Sequence, residues 1–344
     1  MNTMASEDRP AVRSWDRHSL TRRAFLRVGG AAVAGAAASG CGSAAFQPAT
    51  LAAEAEAVAA PRKPTQFQIA CMTLPYNAFP LERSLKGIKA AGYRCVAWGT
   101  THREAGGRQV PVMAADAPPE RARELGRRCR DLGLEPLMMF SEIYPENPGA
   151  LEVLTQRLKQ AAAAGIPQVL TFGHTAGGNR AIWIERFKKL GPVARDLGVL
   201  LVVKQHGGTT GTGAACAEIT REVNDPGVMV NYDAGNVLDY LHMDPIPDIH
   251  KCAAEVRSFC IKDHRNWPRS QDCGPGFGEI DHYRLLQPVA FTGLRMPLCC
   301  ENISAPLLPP PSEPEGMDAL ARRAREFLEV VIRGLQMPKS DAGA

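Results

Sequence analysis

The sequence predicts an α/β fold, a closed (β/α)8 barrel, and three observations predict it. Eight short apolar runs, each closing on a polar or glycine-marked end, fill the chain from about residue 67 to residue 336. Helix-like stretches separate them, and strands alternating with helices imply right-handed βαβ units and a parallel sheet. The count of eight is the number that closes into a barrel, and the roughly 280 residues left after the amino-terminal stretch suit one such domain of about 250 residues.

The first run, Phe67–Leu74, leads into the helical stretch Leu81–Ala91, and the second, Arg94–Gly99, precedes another at Pro119–Leu132. Leu134–Ser141, Pro167–Gly173, Val199–Gly207, Val228–Asp233, Val256–Asp263 and Pro297–Asn302 complete the set. Active sites of this architecture sit at the carboxyl ends of the strands, so the residues closing each run are the functional candidates. They are Trp98, His102, Glu142, His174, Lys204, His206, Asp233, Asn236, Lys262, His264 and Glu301.

Residues 1–41 read as an export signal. Thr21-Arg22-Arg23-Ala24-Phe25-Leu26-Arg27 precedes a mild Ala, Gly and Val tract, Val28 to Gly40. Twin arginines ahead of a weakly apolar stretch are the address read by the twin-arginine export machinery. The tract is too short and Gly-rich to span a bilayer stably, so contact with a membrane is expected only through the signal or a lipid anchor. Ala38-Ser39-Gly40-Cys41 resembles a lipoprotein cleavage box with Ala38 where Leu is usual, and Ala57-Val58-Ala59 offers the alternative of plain cleavage. The expected destination is the periplasm or cell envelope, with Cys41 a candidate for lipidation. An Ala/Pro-rich linker over 42–65, the barrel over 66–336 and a tail over 337–344 follow.

The formal net charge of +4 is partly that of the signal, and no basic stripe interleaved with aromatics appears, which argues against nucleic acid as a partner. Ten cysteines in an exported chain would suggest disulfides. Against a disulfide framework, Cys71, Cys95, Cys260, Cys299 and Cys300 fall within predicted core strands, no Cys-x-x-Cys pair exists, and a barrel of this size buries enough surface without staples. The Pro-rich segment Leu307–Pro314 follows the eighth run and is placed to rim the site.

The carboxyl-terminal half carries Val203-Lys204-Gln205-His206, Tyr232-Asp233-Ala234-Gly235-Asn236, Cys260-Ile261-Lys262-Asp263, Gly276-Phe277-Gly278-Glu279-Ile280-Asp281 and Cys300-Glu301-Asn302. In order and spacing these resemble the sugar phosphate isomerase/epimerase family with the xylose isomerase-like TIM barrel, and the resemblance spans about residues 66–336. It implies a carbohydrate substrate and a divalent ion (Mn, Mg, Zn or Co) held by a strand-five Glu, a strand-six Asp, a strand-seven His and a strand-eight Glu. This chain places Lys204 and Cys260 at the first and third positions, keeping only Asp233 and Glu301. A protonated lysine cannot ligate a metal, and it also replaces one of the two carboxylates that move a proton beside a carbonyl in the epimerases.

Four outcomes are open for Lys204. Its ammonium can stand in the space of the cation, pairing with Asp233 and Glu301 and polarising a substrate oxygen. A metal can be retained by a shifted set, Asp233, Glu301 and His206, since period two puts Lys204 and His206 on one side of the strand and Gln205 on the other. Lys204 can act as a Schiff-base nucleophile. Or it can be an inert ion-pair partner.

Smaller expectations attach to the other candidates. Cys260 can be a soft metal ligand or a buried strand cysteine. Lys262 and His264 share its parity and can face the same mouth, where a cation suits sugar hydroxyls or an anionic group. Asn236 fills the place of a substrate contact, or caps the next helix, while Gly235 would let the backbone approach a ligand. Trp98 and Glu142 are further substrate-binding candidates, and Gly207–Gly213 reads as a flexible polar loop over the same face. The functional expectation is a sugar isomerase or epimerase-like enzyme acting by proton abstraction through an enediol(ate), with Glu301 as base and Lys204 and His206 steadying charge on oxygen. A non-catalytic carbohydrate-binding protein is the alternative.

Overall fold

The computed structural model describes residues 63–104 and 106–337, so the signal, Cys41, most of the linker and nearly all of the tail lie outside the described residues. Eight strands close the barrel: β1 Gln66–Met72, β2 Cys95–Trp98, β3 Glu135–Phe140, β4 Gln168–Thr171, β5 Leu200–Val203, β6 Val228–Tyr232, β7 Val256–Ile261 and β8 Arg295–Cys300. Every strand pairs in parallel with its sequence neighbours, and β1 with β8 closes the ring in the register Gln66 to Arg295 through Cys71 to Cys300. All eight predicted runs hold a strand.

Alternation along the strands sorts side chains into two layers. Ala70, Met72, Ala97, Phe140, Leu170, Val202, Cys260 and Cys299 fill the barrel interior, whereas Cys71, Val96, Trp98, Val169, Leu201, Val203 and Cys300 face the helices. The nine described cysteines are free, and those of the strands pack as small apolar groups, as their spacing predicts.

Helices α1 Leu81–Ala90, α2 Pro119–Asp131, α3 Ala150–Ala164, α4 Arg180–Asp196, α5 Gly213–Val223, α6 Ala234–Leu241, α7 Pro245–Cys252, α8 His282–Leu286 and α9 Pro314–Leu335 cover the sheet. The last ties back to the start of the barrel. Arg83 and Tyr76 both bond Asp318 on α9, at 2.7 and 3.0 Å, and Tyr93 donates to the Ala321 carbonyl at 2.8 Å. Among the described residues no helix is long and apolar enough to cross a membrane.

Two features go beyond the predicted rhythm. Short antiparallel hairpins, Thr101–Arg103 with Gln109–Pro111 and Asp263–Arg265 with Gln271–Cys273, rise after β2 and β7. Their strands have three residues each, too few for a period-two pattern to register. Also, β5 stops at Val203, so Lys204, Gln205 and His206 project beyond the sheet from the mouth end.

Candidate active site

Lys204 shares parity with Val202, which points into the barrel, and its backbone N–H still donates to the Thr171 carbonyl at 2.9 Å. The side chain therefore enters the mouth along the axis. Its Nζ donates to both carboxylate oxygens of Glu301, at 2.9 and 2.8 Å, and lies 3.2 Å from Oδ2 of Asp233. Phe172 and Phe140 present ring faces 5.2 and 5.9 Å from the ammonium, completing a cage in which charge–π attraction adds to the ion pairs. Lys204 is 2% exposed and Asp233 wholly buried, while the Glu301 side chain keeps 13% of its surface. Glu301 accordingly meets a cavity of about 320 Å³ lined by Leu74, Asn77, Asn302, Ser304 and Pro310, which places the Pro-rich segment at the rim.

The two oxygens of Asp233 have separate tasks. Oδ1 accepts the Asn236 N–H at 3.0 Å and so caps α6, leaving Oδ2 to face the ammonium with no hydrogen-bond partner of its own. The Asp233 N–H donates to Oε1 of Gln205 at 2.7 Å, and Asn236 Nδ2 donates to the Gln205 carbonyl at 2.6 Å. Asn236 is thus a buried strut between the ends of β5 and β6 as well as a member of the first turn of α6.

Charge follows from this geometry. Burial raises Asp233 above the ordinary carboxylate range, and the Lys262 and Lys204 cations offset only part of that. Burial acts on Glu301 in the same sense, but Lys204, through attraction and two direct hydrogen bonds, and Lys262 outweigh it and hold the group well below the usual range. Burial would strip Lys204 of its proton, yet Glu301, Cys260 and Asp233 more than compensate and it remains an ammonium. His206 is pushed down to about 4, first by burial and then by Lys204, and is neutral at neutral pH.

Lys262 stands beside this group. Burial opposes its charge, but Asp233, Glu301 and Asp272 together raise its pKa, and Asp272 binds it at 2.7 Å. His264 is 1% exposed and bonds the other oxygen of Asp272 through Nδ1 at 2.9 Å, with Ser270 at 3.3 Å from Nε2. Asp263, between them, accepts the N–H groups of Gly276, Gly278 and Ile280, each at 3.0 Å, and so folds the Gly276–Asp281 motif against β7.

Gly235 makes way for Lys262 rather than for a ligand: a Cβ there would lie 2.5 Å from Cγ and 2.8 Å from Cε of Lys262. Gly235→Ala is expected to cost about 1–3 kcal/mol by overpacking, because the added methyl must displace the Lys262 stem. Denaturant titration checks it, and a change below about 0.5 kcal/mol would mean the Lys262 stem is loosely held.

The remaining candidates divide. His206 stays near the ammonium, its ring 4.5 Å from Phe172 and 5.3 Å from Tyr240, with Nδ1 bonded to the Gly173 carbonyl at 2.8 Å. Among the described residues, however, the donor atoms that approach one another within 4.8 Å are those of Asp233, Cys260 and Glu301, and the expected set of Asp233, Glu301 and His206 is not assembled. A second such group is Asp239, His264 and Asp272. Trp98 faces the helix layer, away from the mouth, because Ala97 takes the inward position. Glu142 has left-handed backbone (φ 58°) and turns its carboxylate to the buried Arg157 of α3. Gly207–Gly213 is not a loose loop. Gly207 (φ 77°) packs where a Cβ would meet the Thr175 carbonyl at 2.3 Å, Thr209 N–H donates to Gly177 at 2.8 Å, and Thr212 caps α5.

Asp272, Phe172 and Tyr240 were not legible as site residues. Asp272 lies in a three-residue strand after the irregular stretch 266–270, and the one available clue was that the alternating pair Lys262 and His264, if buried, requires a carboxylate.

The profile of the family described as xylose isomerase-like TIM barrel matches residues 85–328. No curated protein matches the chain significantly by sequence. Among solved structures the chain is similar to L-ribulose 3-epimerase (18% identity, 79% of this chain and 96% of that one, TM-score 0.61). It is also similar to the IOLI protein with a binding zinc atom (15%, 78% and 100%, TM-score 0.61). A third neighbour is a xylose isomerase-like TIM barrel protein from Mycobacterium smegmatis in complex with magnesium (16%, 78% and 98%, TM-score 0.61). Metal-bound relatives therefore exist within the fold, and this chain retains a cluster of potential ligands.

Proposed function

The chain belongs to the xylose isomerase-like TIM-barrel family, and on that premise we propose that it acts on a small carbohydrate as an isomerase or epimerase-like enzyme, abstracting a carbon-bound proton through an enediol(ate). The observation that carries this reading is the meeting of Lys204, Asp233 and Glu301 from the ends of three strands within 3.2 Å. Lys204 is the electrophile. Its ammonium hydrogen-bonds the substrate oxygen on which negative charge develops, where a preorganised donor in a buried site is most effective. To do so it gives up a hydrogen bond to Glu301, and a Glu301 oxygen, facing the cavity and now more basic, accepts the proton from the adjacent carbon. The hydroxyl proton on that carbon passes to the enediolate oxygen, and Glu301, its proton exchanged with solvent, delivers one to the former carbonyl carbon to complete isomerisation. Asp233 keeps Lys204 charged and aimed. The neutral His206 imidazole and the Phe172 and Tyr240 rings offer a flat, partly apolar wall for a sugar, and Lys262 and His264 bind its hydroxyls.

A ketose epimerase among the structural neighbours makes ketoses the first compounds to try. Incubating the full chain with individual ketopentoses and ketohexoses and resolving the products by chromatography tests the reading. Formation of an isomeric sugar, lost in Glu301→Gln, is the expected result, and no conversion of any sugar that demonstrably binds would refute it. The second reading, a carbohydrate-binding protein without turnover, draws on both Glu301 oxygens being engaged by Lys204, and that same outcome would favour it.

We also propose export by the twin-arginine route to the periplasm or cell envelope, with Cys41 as a possible lipid attachment point. Replacing Arg22 and Arg23 with Lys should leave the protein in the cytoplasm, since the receptor reads the pair rather than bulk charge. Unimpaired export of that variant, followed by fractionation, would contradict the assignment.

A further inference from the structure

A carboxylate oxygen of Asp233, Sγ of Cys260 and a carboxylate oxygen of Glu301 belong to a cluster whose donor atoms lie within 4.8 Å of one another. An ion bound to such donors would sit about 2.0–2.3 Å from each and would have to occupy the space between them. The Lys204 ammonium reaches into that space, 2.8 and 2.9 Å from the Glu301 oxygens and 3.2 Å from Asp233 Oδ2. A divalent cation and an ammonium cannot share it, because their repulsion in a buried site would be added to the loss of three ion-pair contacts. Among the described residues the ammonium hydrogen-bonds no acceptor but Glu301, and the Phe140 and Phe172 rings lie 5.9 and 5.2 Å from it. The donor set of the native chain therefore does not fit a resident divalent ion.

We propose that the Lys204 ammonium is a tethered replacement for a divalent cation, and that Asp233, Cys260 and Glu301 form a latent metal site that opens when the ammonium is removed and selects Zn²⁺ over Mg²⁺. Charge supports the exchange. Lys204 with two carboxylates leaves one net negative charge, and so does Zn²⁺ with two carboxylates and the Cys260 thiolate, the thiol proton being released on binding. Selectivity follows from the donors: a thiolate is a soft ligand suited to Zn²⁺, whereas Mg²⁺ requires hard oxygen donors in octahedral array and gives up its water reluctantly. The inference rests on the geometry of the site and not on the reaction assigned to it, so the two can fail separately.

The test is Zn²⁺ and Mg²⁺ titration of the folded full chain by calorimetry, with bound metal counted by elemental analysis after dialysis. The native protein and Asp233→Asn should bind Zn²⁺ equally weakly. Lys204→Ala should retain one equivalent of Zn²⁺ at least 100-fold more tightly than the native chain, without a comparable gain for Mg²⁺. Adding Cys260→Ser to Lys204→Ala should remove at least 10-fold of that gain. Lys204→Gln, which retains a hydrogen-bond donor in the cage, is the second variant should Lys204→Ala not fold, and Zn²⁺ should raise its melting temperature as well. Two results would overturn the proposal: one tightly held equivalent in the native protein that Asp233→Asn abolishes, or no gain in Zn²⁺ affinity in either lysine variant.

Discussion

Lys204→Met is expected to lower stability at pH 7 by about 3–5 kcal/mol, the usual cost of removing one partner from a buried ion pair and leaving the other uncompensated. Methionine fills much of the volume, so the loss reports charge rather than a cavity. What remains is Asp233, fully buried, beside Glu301, and two adjacent carboxylates cannot both stay ionised cheaply. The pH dependence has a definite sign. Burial already raises Asp233 in the native protein with Lys204 in place, and without the ammonium a carboxyl of the pair is raised further. A folded-state pKa above the unfolded value means that the folded form binds more protons, so the penalty is complete at pH above the folded pKa and disappears as pH falls below the unfolded one. Denaturant titrations at pH 7 and pH 5 should therefore show the variant recovering part of its deficit at the lower pH. Equal stability of variant and wild type at pH 7 would show that the contacts around Nζ contribute nothing net.

Glu301→Gln is expected to reduce turnover by about 100-fold or more while substrate affinity changes far less, because the amide keeps shape and hydrogen bonding but cannot accept a proton from carbon. The same change removes the strongest partner of Lys204, leaving Asp233 as its counter-ion, so the fold should persist. If Glu301 instead served mainly as a cation ligand, excess divalent metal would partly restore activity. Turnover at the wild-type rate would exclude both roles.

How far the sequence carried this picture differs by layer. The eight strands were legible because each is a buried apolar run between glycine or polar breaks, and buried parallel strands need no subtler signal. Lys204, Asp233 and Glu301 were legible for a related reason: each directly follows a barrel strand, where the fold alone dictates convergence. What failed was orientation at the level of single residues. Trp98 closes a run as clearly as Asp233 does, yet sits one position out of phase with the interior, and a slip of one residue in a strand moves a side chain to the opposite face. Glu142 was misleading in a different way, since its left-handed backbone, invisible in a non-glycine residue, turns it to Arg157. Gly235 was read as room for a ligand and is room for a lysine stem. The hairpin that brings Asp272 to Lys262 and His264 depends on three-residue strands and an irregular connection, and tertiary contacts rather than local pattern specify it.

The reaction assigned to the site reduces to whether Glu301 moves a proton between carbon and solvent. The most direct measurement is deuterium incorporation: the wild-type chain and Glu301→Gln are incubated in D₂O with a sugar that both bind, and the carbon-bound protons beside the carbonyl are followed by NMR. The account predicts time-dependent loss of one C–H signal with the wild type and a rate lower by about 100-fold or more with the variant. Full retention of that signal in the wild type, with sugar binding intact, would contradict it and leave the mouth of this barrel a binding site alone.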